Sequence, residues 1–413
     1  MISDRSDSPL MESSVFENLN IEEAVDLLIQ KAIELPASDL FLTCESDGVA
    51  VSVRHLGILR RMMMLSESMG NHFINSIKAR AGMGLTRHQQ PLDGRWQCSL
   101  DDVVAIDLRI STIPSLYGES MAIRIPEHSE KLLKLHALGL RQEDHDSLVY
   151  LLNRPNGLVL VTGPTEAGKT TSSYAFLQHV NDGTRRIHTI EDPVEHSLPG
   201  VCQSEVNTKI LLDFPELLRG VLRQSPDVIK VGEIRDPITA ATAVRAANSG
   251  CLVFATLHSP TAAAAVDSML ALDVHPHFLA TSLLAVVAQR LVRVLCPDCK
   301  RPVDIPGISS VLDRVKDHLG TGWDGHIYEA VGCSRCRNEG YVGRTCVFEI
   351  LHATKDIRRM VFEQRSIGEI HQHAVDHGML DLRSAALLKV AEGTTTVEEV
   401  VRITPGEMPL PNA

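Results

Sequence analysis

Apolar and polar positions along this chain follow two different rhythms, and the change of rhythm divides it. Between residues 20 and 126 the runs are short. Leu40 to Leu42, Val49 to Val53 and stretches near 103–110 and 119–125 predict strands, with Asp47-Gly48 marking a turn. Two segments have helical spacing instead. Ile21, Ala24, Leu27, Leu28, Ala32 and Ile33 fall on one face of a helix, and a second helix is predicted over 67–81. This mixture predicts a small α+β domain. The charged residues 127–135 that follow read as a linker, and the polar residues 1–19 read as a loosely packed or disordered N-terminus.

From 136 to 294 apolar strands alternate with helices. Strands are predicted at 158–162, 187–190, 227–231 and 252–256, with helices at 169–181, 213–224, 237–248, 261–271 and 277–290. Strands without alternation, separated by helices, predict a parallel sheet in an α/β domain. Residues 295–345 carry paired cysteines and little periodicity. Residues 346–413 return to short amphipathic helices and end in a polar, proline-rich tail.

The strand over 158–162 runs into Gly163-Pro-Thr-Glu-Ala-Gly168-Lys169-Thr170-Thr171, after which the helix over 169–181 begins. Strand, glycine-spaced loop and helix in that order are what a phosphate cradle requires. The two glycines permit backbone angles and close approach that let N–H groups point at phosphate oxygens. The helix start adds partial positive charge. Lys169 is placed for the β- and γ-phosphates of ATP and the Thr170 hydroxyl for Mg²⁺, with Pro164, Thr165, Glu166, Ala167 and Thr171 completing the loop.

Three other predicted strands also end in polar chemistry. Glu191-Asp192-Pro-Val-Glu195 follows the strand over 187–190, Glu233-Ile-Arg-Asp236 follows that over 227–231, and Thr256-Leu-His258-Ser259 ends that over 252–256. Carboxylates at strand ends beside a phosphate loop can position water or hold Mg²⁺. Each has a plainer reading. Glu191 and Asp192 open a turn, His258 is a structural histidine, and Glu233 is a surface charge.

Composition narrows the classes. The 413 residues suffice for two or three domains. A net charge of −12 and an aromatic content of 4% argue against a nucleic-acid binder. No apolar stretch reaches the ~18–20 residues that cross a bilayer, and the N-terminus lacks a secretory signal, so a cytoplasmic protein is expected.

Nine cysteines suit a reducing compartment with a metal site better than a disulfide framework. Cys296-Pro-Asp-Cys299 and Cys333-Ser-Arg-Cys336 form two Cys-x2-Cys knuckles with 33 residues between them. Four thiolates in that pattern suit a closed, structural Zn²⁺ site, with buried thiols or a redox pair as the other readings.

Together these motifs resemble the ATPases of type II secretion and type IV pilus assembly, from about residue 20 to 404. The matching elements are the phosphate loop, the acidic box Thr189–Glu195, the Walker B segment Val231–Asp236 and the histidine box Thr256–His258. Pro91–Arg95, Asp107–Thr112 and Gly118-Glu119 with Arg124 match the arginine-bearing strands of the family's smaller domain. Gly378-Met379, Lys389-Val390 and Gly393–Val400 match its C-terminal helices.

The resemblance implies a RecA-like P-loop motor domain, preceded by the smaller domain and followed by the zinc segment and terminal helices. It implies a homohexamer that binds ATP and Mg²⁺ and works through an inner-membrane platform protein, without nucleic acid. In it Glu233 acts on the water, Glu191 and Glu195 support Mg²⁺ or water, His258 senses the phosphates, and Arg95, Arg109 or Arg124 reaches the γ-phosphate. Arg109 and Arg124 also fit the solvated face of a strand. The tetracysteine, with Gly340-Tyr-Val-Gly343-Arg344, places the chain in the export and pilus-extension branch. The family loop usually has Gly-Ser where Glu166-Ala167 stands, and Phe41, Leu56, Ser225 and Cys251 also depart from its pattern. Glu166 beside phosphates opposes them unless it points outward or pairs with a cation, so a weakly hydrolysing regulatory subunit is the second reading.

Overall fold

The computed structural model describes residues 13–16, 19–86, 89–100, 104–126, 134–304, 312–319 and 326–404. Most of the expected N-terminal extension, residues 127–133 of the expected linker and the proline-rich tail lie outside these. The chain divides into two compact units, Met1–Glu130 and Lys131–Ala413.

The first unit contains α1 (Ile21–Glu34), β1 (Ala37–Glu45), β2 (Gly48–His55), β3 (Ile58–Leu65), α2 (Glu67–Arg80), β4 (Leu92–Leu100), β5 (Val104–Ser115) and β6 (Gly118–Arg124). Asn20 and Glu23 start α1 as a reciprocal capping box, and the Ser66 hydroxyl caps α2. The six strands form one antiparallel sheet in the order β3-β2-β1-β6-β5-β4. Leu28, Phe73 and Ile77 of the helices are buried with Leu40, Leu42, Val51, Val53, Leu108 and Ile123 of the strands. Helix α2 passes so close to β2 that a Cβ on Gly70 would lie 2.2 Å from Val49.

Lys78 of α2 is fully buried and donates to both carboxylate oxygens of Glu119 at 2.8 and 2.7 Å. Removing one partner of a buried pair strands the other charge.

The second unit contains α3 (Gln142–Leu152), β7 (Gly157–Thr162), α4 (Lys169–Val180), β8 (Ile187–Glu191), β9 (Val201–Glu205), α5 (Phe214–Leu222) and β10 (Val228–Val231). Then come α6 (Pro237–Asn248), β11 (Leu252–Leu257), α7 (Ala262–Ala271), α8 (Pro276–Ser282), β12 (Leu283–Leu295), β13 (Arg301–Val303), β14 (Ile327–Glu329) and β15 (Tyr341–His352). It closes with α9 (Lys355–Phe362), α10 (Ile367–Asp376), α11 (Leu382–Ala391) and α12 (Val397–Ile403). Seven strands form a sheet in the order β15-β12-β7-β11-β10-β8-β9, parallel throughout except for β15, which runs antiparallel to β12. Every residue of β7, β8, β10 and β11 is buried, as expected of parallel strands covered on both faces, although β8 carries His188, Thr189 and Glu191 and β10 carries Lys230.

One expected element changes type. The helix expected over 277–290 ends at Ser282, and residues 283–295 form strand β12. The run Leu283-Leu-Ala-Val-Val-Ala is apolar at every position, and such a run carries no period to separate a buried strand from a buried helix. Pairing with β7 on one side and β15 on the other decides it. The expected division at 345/346 accordingly falls inside β15, which belongs to the main sheet.

Glu119→Ala should destabilise the first unit by about 3–5 kcal/mol through the uncompensated Lys78, measured by denaturant unfolding. The double change Lys78→Met, Glu119→Leu should recover most of that loss.

Candidate active site

The parallel strands deliver their C-terminal ends to one edge of the sheet, and the order β7-β11-β10 sets three of the expected motifs side by side. After β7 the chain turns through Gly163 at φ +150°, Glu166 at φ +62° and Gly168 at φ +82°, and α4 starts at Lys169. Both glycines are required by what lies behind them. A Cβ on Gly163 would stand 2.6 Å from the Gln289 carbonyl, and one on Gly168 would stand 3.2 Å from the Gln289 side-chain nitrogen. The left-handed geometry at Glu166 favours glycine. Pro164, Thr165 and Glu166 form the exposed crown of the loop, Ala167 is buried beneath it, and Thr170 and Thr171 occupy the first turn of α4. Loop amides, a helix start, a lysine and a hydroxyl at these positions fit a nucleotide's phosphates and Mg²⁺.

Lys169 Nζ donates to the Gly163 and Pro164 carbonyls, both at 2.8 Å. Burial lowers its pKa to about 8, against the pull of Glu233 and with the help of Arg290. It lies 3.4 Å from His258 Nδ1. An ammonium cannot accept, so a hydrogen bond here assigns Nδ1 as acceptor and the ring proton to Nε2. That nitrogen faces Glu233 Oε1 at 2.8 Å, while Arg235 Nη2 holds Glu233 Oε2 at 2.6 Å. Burial alone would raise the Glu233 pKa; Arg235, His258 and Lys169 outweigh it and hold the carboxyl below the usual range. The structure thus brings Lys169, His258 and Glu233 into one continuous polar chain.

The acidic box is built differently from the sequence expectation. Glu191 is buried and accepts from four donors: Tyr174 Oη at 2.7 Å, Thr189 Oγ1 at 2.6 Å, Lys230 Nζ at 2.6 Å and Gln203 Nε2 at 3.1 Å. A carboxylate has about four acceptor positions, so Glu191 is fully engaged by the protein. Glu195 is exposed on the loop beyond β8.

In the first unit Arg95 pairs across the ladder with Arg109, Arg109 with Arg124, and Arg124 with Asp39. Residues directly opposite in an antiparallel pair share a face, so the three arginines form one row. The flanking Leu108, Ile110 and Ile123 point the other way into the core. Like charges placed opposite one another destabilise a sheet.

Sequence reasoning passed over Gln289 and Arg290, which floor the phosphate loop, and Lys230 and Tyr174, which hold Glu191. The one available signal was polarity: Gln289-Arg290 ends an apolar run, and Lys230 interrupts one.

The four cysteines Cys296, Cys299, Cys333 and Cys336 come together, with all Sγ atoms within 4.8 Å of one another. Recorded Sγ separations are 3.8 Å for Cys296–Cys333 and 3.7 Å for Cys299–Cys336 and Cys333–Cys336. A tetrahedral site with Zn–S bonds of ~2.3 Å requires edges of about 3.8 Å. Backbone N–H groups of Gly332, Cys333 and Gly340 also point at these sulfurs, at 3.1–3.3 Å. The donor set fits zinc.

A parallel sheet with a phosphate loop after one strand, and Walker B and histidine residues after its neighbours, defines a RecA-like P-loop α/β core. The chain belongs to the type II/IV secretion system protein family, whose model matches residues 16–402. It is 36% identical over 397 residues to the type II secretion system ATPase E of Vibrio cholerae serotype O1, covering 96% of this chain and 77% of that one. It is 36% identical over 381 residues to the type IV pilus assembly ATPase PilB of Pseudomonas aeruginosa, covering 92% of this chain and 67% of that protein. The fold matches the X-ray structure of the Legionella pneumophila ATPase DotB with a TM-score of 0.71 at 18% identity, over 96% of this chain and 99% of that one. The family is one of ATPases. Among the described residues no helix is long and apolar enough to cross a membrane.

Purified protein should carry one zinc per chain by elemental analysis. Cys296→Ser should lose that metal and lower the thermal midpoint of the second unit.

Proposed function

We propose that this chain hydrolyses ATP as a subunit of a homohexamer, and that turnover drives assembly of a type II secretion pseudopilus or a type IV pilus. The motor would act at the cytoplasmic face of the inner membrane, coupled to a platform protein there. The names of the relatives support the machinery. The observation that carries the chemistry is the unbroken chain Lys169–His258–Glu233–Arg235 at the sheet edge.

Lys169 would leave two loop carbonyls to meet the β- and γ-phosphates, and Thr170 would hold Mg²⁺, which would supply charge against the phosphate oxygens. Glu233, kept ionised by its neighbours, orients the attacking water; a carboxylate with a lowered pKa serves better as an orienter than as a strong base. His258 bridges Lys169 and Glu233, so a change at the lysine reaches the carboxylate through one ring. Arg95, Arg109 and Arg124 form a row on one face of their sheet, with Asp39 opposite Arg124 at its end, and one of them supplies the charge at the γ-phosphate. Glu195 assists with Mg²⁺ or water, and Glu191 holds the acidic box in shape.

One observation favours the second reading, a subunit of the same machinery that binds ATP and turns it over weakly or not at all. Glu166 puts a carboxylate on the crown of the loop in a left-handed conformation. An unscreened like charge at ~4 Å and an effective dielectric near 20 would oppose phosphate by about 4 kcal/mol, and pairing or solvent reduces that.

Steady-state phosphate release should exceed that of a Lys169→Ala control; equal rates would favour the regulatory subunit. Glu166→Gly relieves both the backbone and the charge, so turnover should be equal or higher. A large loss would assign Glu166 an active part.

Nucleotide affinity should fall as pH rises through about 8. Bound phosphate stabilises the charged lysine, so binding takes up a proton once free Lys169 has begun to lose its own. Titrating nucleotide binding between pH 7 and 9 checks this, and Lys169→Arg should flatten the profile.

A further inference from the structure

Strand β12 lies beside the phosphate-loop strand in parallel register, Ala288 opposite Thr162, so Gln289 and Arg290 run alongside the start of the loop. The Gln289 side chain donates to the Ala167 carbonyl at 2.7 Å. The Arg290 guanidinium lies 3.3 Å from where a Gly163 side chain would begin. Its Nη1 donates to the Gln289 carbonyl at 2.9 Å, and its Nη2 donates to the Pro260 carbonyl at 2.7 Å. Pro260 stands two residues beyond His258, on the loop that carries the imidazole.

Three strands of the sheet pin that loop. Thr162 Oγ1 donates to the Ser259 carbonyl and accepts from the Ser259 amide, both at 2.8 Å. Glu349 accepts from the Ala262 amide at 2.7 Å. Arg290 supplies the third anchor. Among the three, its cationic fork is the one that lies against Gly163 as well. Lys169 and Glu349 are its charged neighbours.

We infer that Arg290 is a positioning residue for hydrolysis: its two-pronged guanidinium fixes the His258 loop at a set distance from the phosphate loop, and so keeps the imidazole between Lys169 and Glu233. The inference rests on the hydrolytic reading of this site. Arg290 acts through His258 and touches no reacting atom. A lysine cannot replace it, because one ammonium cannot reproduce the planar fork that bonds β12 and Pro260 together.

The experiment is a double-mutant cycle on the full chain, reading phosphate release and nucleotide affinity separately. Arg290→Met should lower kcat roughly ten- to hundredfold, the penalty expected for misplacing a group by about 1 Å, while nucleotide Kd moves by less than about threefold. In a His258→Ala background the same substitution should cost less than about twofold, because the group it positions is gone. Arg290→Lys keeps charge and bulk, serves if the methionine variant folds poorly, and should show the same pattern.

Equal losses from Arg290→Met with and without His258 would overturn the inference, as would a loss confined to nucleotide affinity. A second readout needs no turnover. With histidine-selective ¹⁵N labelling, and His258→Ala to assign its signals, the wild type should show His258 as the Nε2–H tautomer and Arg290→Met a mixture. An unchanged tautomer in the variant would also overturn it. Wild-type turnover no higher than that of Lys169→Ala sinks the hydrolytic reading instead, and the tautomer measurement then decides the role of Arg290 alone.

Discussion

Glu191 is a charge set where water cannot reach it, and the arrangement of the second unit follows from what makes that tolerable. A buried carboxylate is costly unless its acceptor positions are filled. Burial would push the Glu191 carboxyl up, yet Lys230, Thr189 and Tyr174 together hold it below the usual range. Those donors come from different elements: Lys230 from β10, Thr189 from β8 and Tyr174 from α4. The Tyr174 ring also stacks under the Lys230 ammonium at 4.8 Å, and its hydroxyl accepts from the His196 amide. Glu191 therefore fastens the helix that begins at Lys169 to the strand that leads to Glu233.

The same logic of neighbouring strand ends explains why separate motifs act together. Strand β11 lies between β7 and β10, so His258 emerges between Lys169 and Glu233. Gly232 is held to the Ile190 carbonyl at 2.7 Å and takes no side chain, since a Cβ there would sit 2.8 Å from that oxygen. The Thr256 hydroxyl donates to the Gly232 carbonyl. Glu233 is thus held by backbone contacts one residue behind it, at Gly232.

What the sequence made legible was local. The phosphate loop, the Walker B carboxylate, the histidine box and the cysteine quartet each follow from residue types at short fixed spacings, and the fully buried strands β7 and β11 follow from their apolar runs. What it hid depends on partners distant in the chain. Residues 283–288 are apolar throughout, so only pairing with β7 and β15 makes them a strand. Glu191 looked like a metal or water ligand because sequence spacing cannot count donors; Gln203 and Lys230 lie 12 and 39 residues away. Gln289 and Arg290 carry no motif, and their closeness to Gly163 exists only once β12 is in place. The oddity of Glu166 was visible, but its left-handed backbone was not.

The cysteine quartet has an architectural consequence. Leu295, directly before Cys296, is the ladder partner of Tyr341, which follows the second knuckle. The quartet thus draws the neck of a long excursion closed at the point where β12 and β15 part company. Closure entropy grows only slowly with loop length once ends are fixed together. Of what lies between the knuckles, Leu312, Val315 and Ile327 pack back onto Val292 of β12 and Val347 of β15, so the excursion returns to the sheet it leaves.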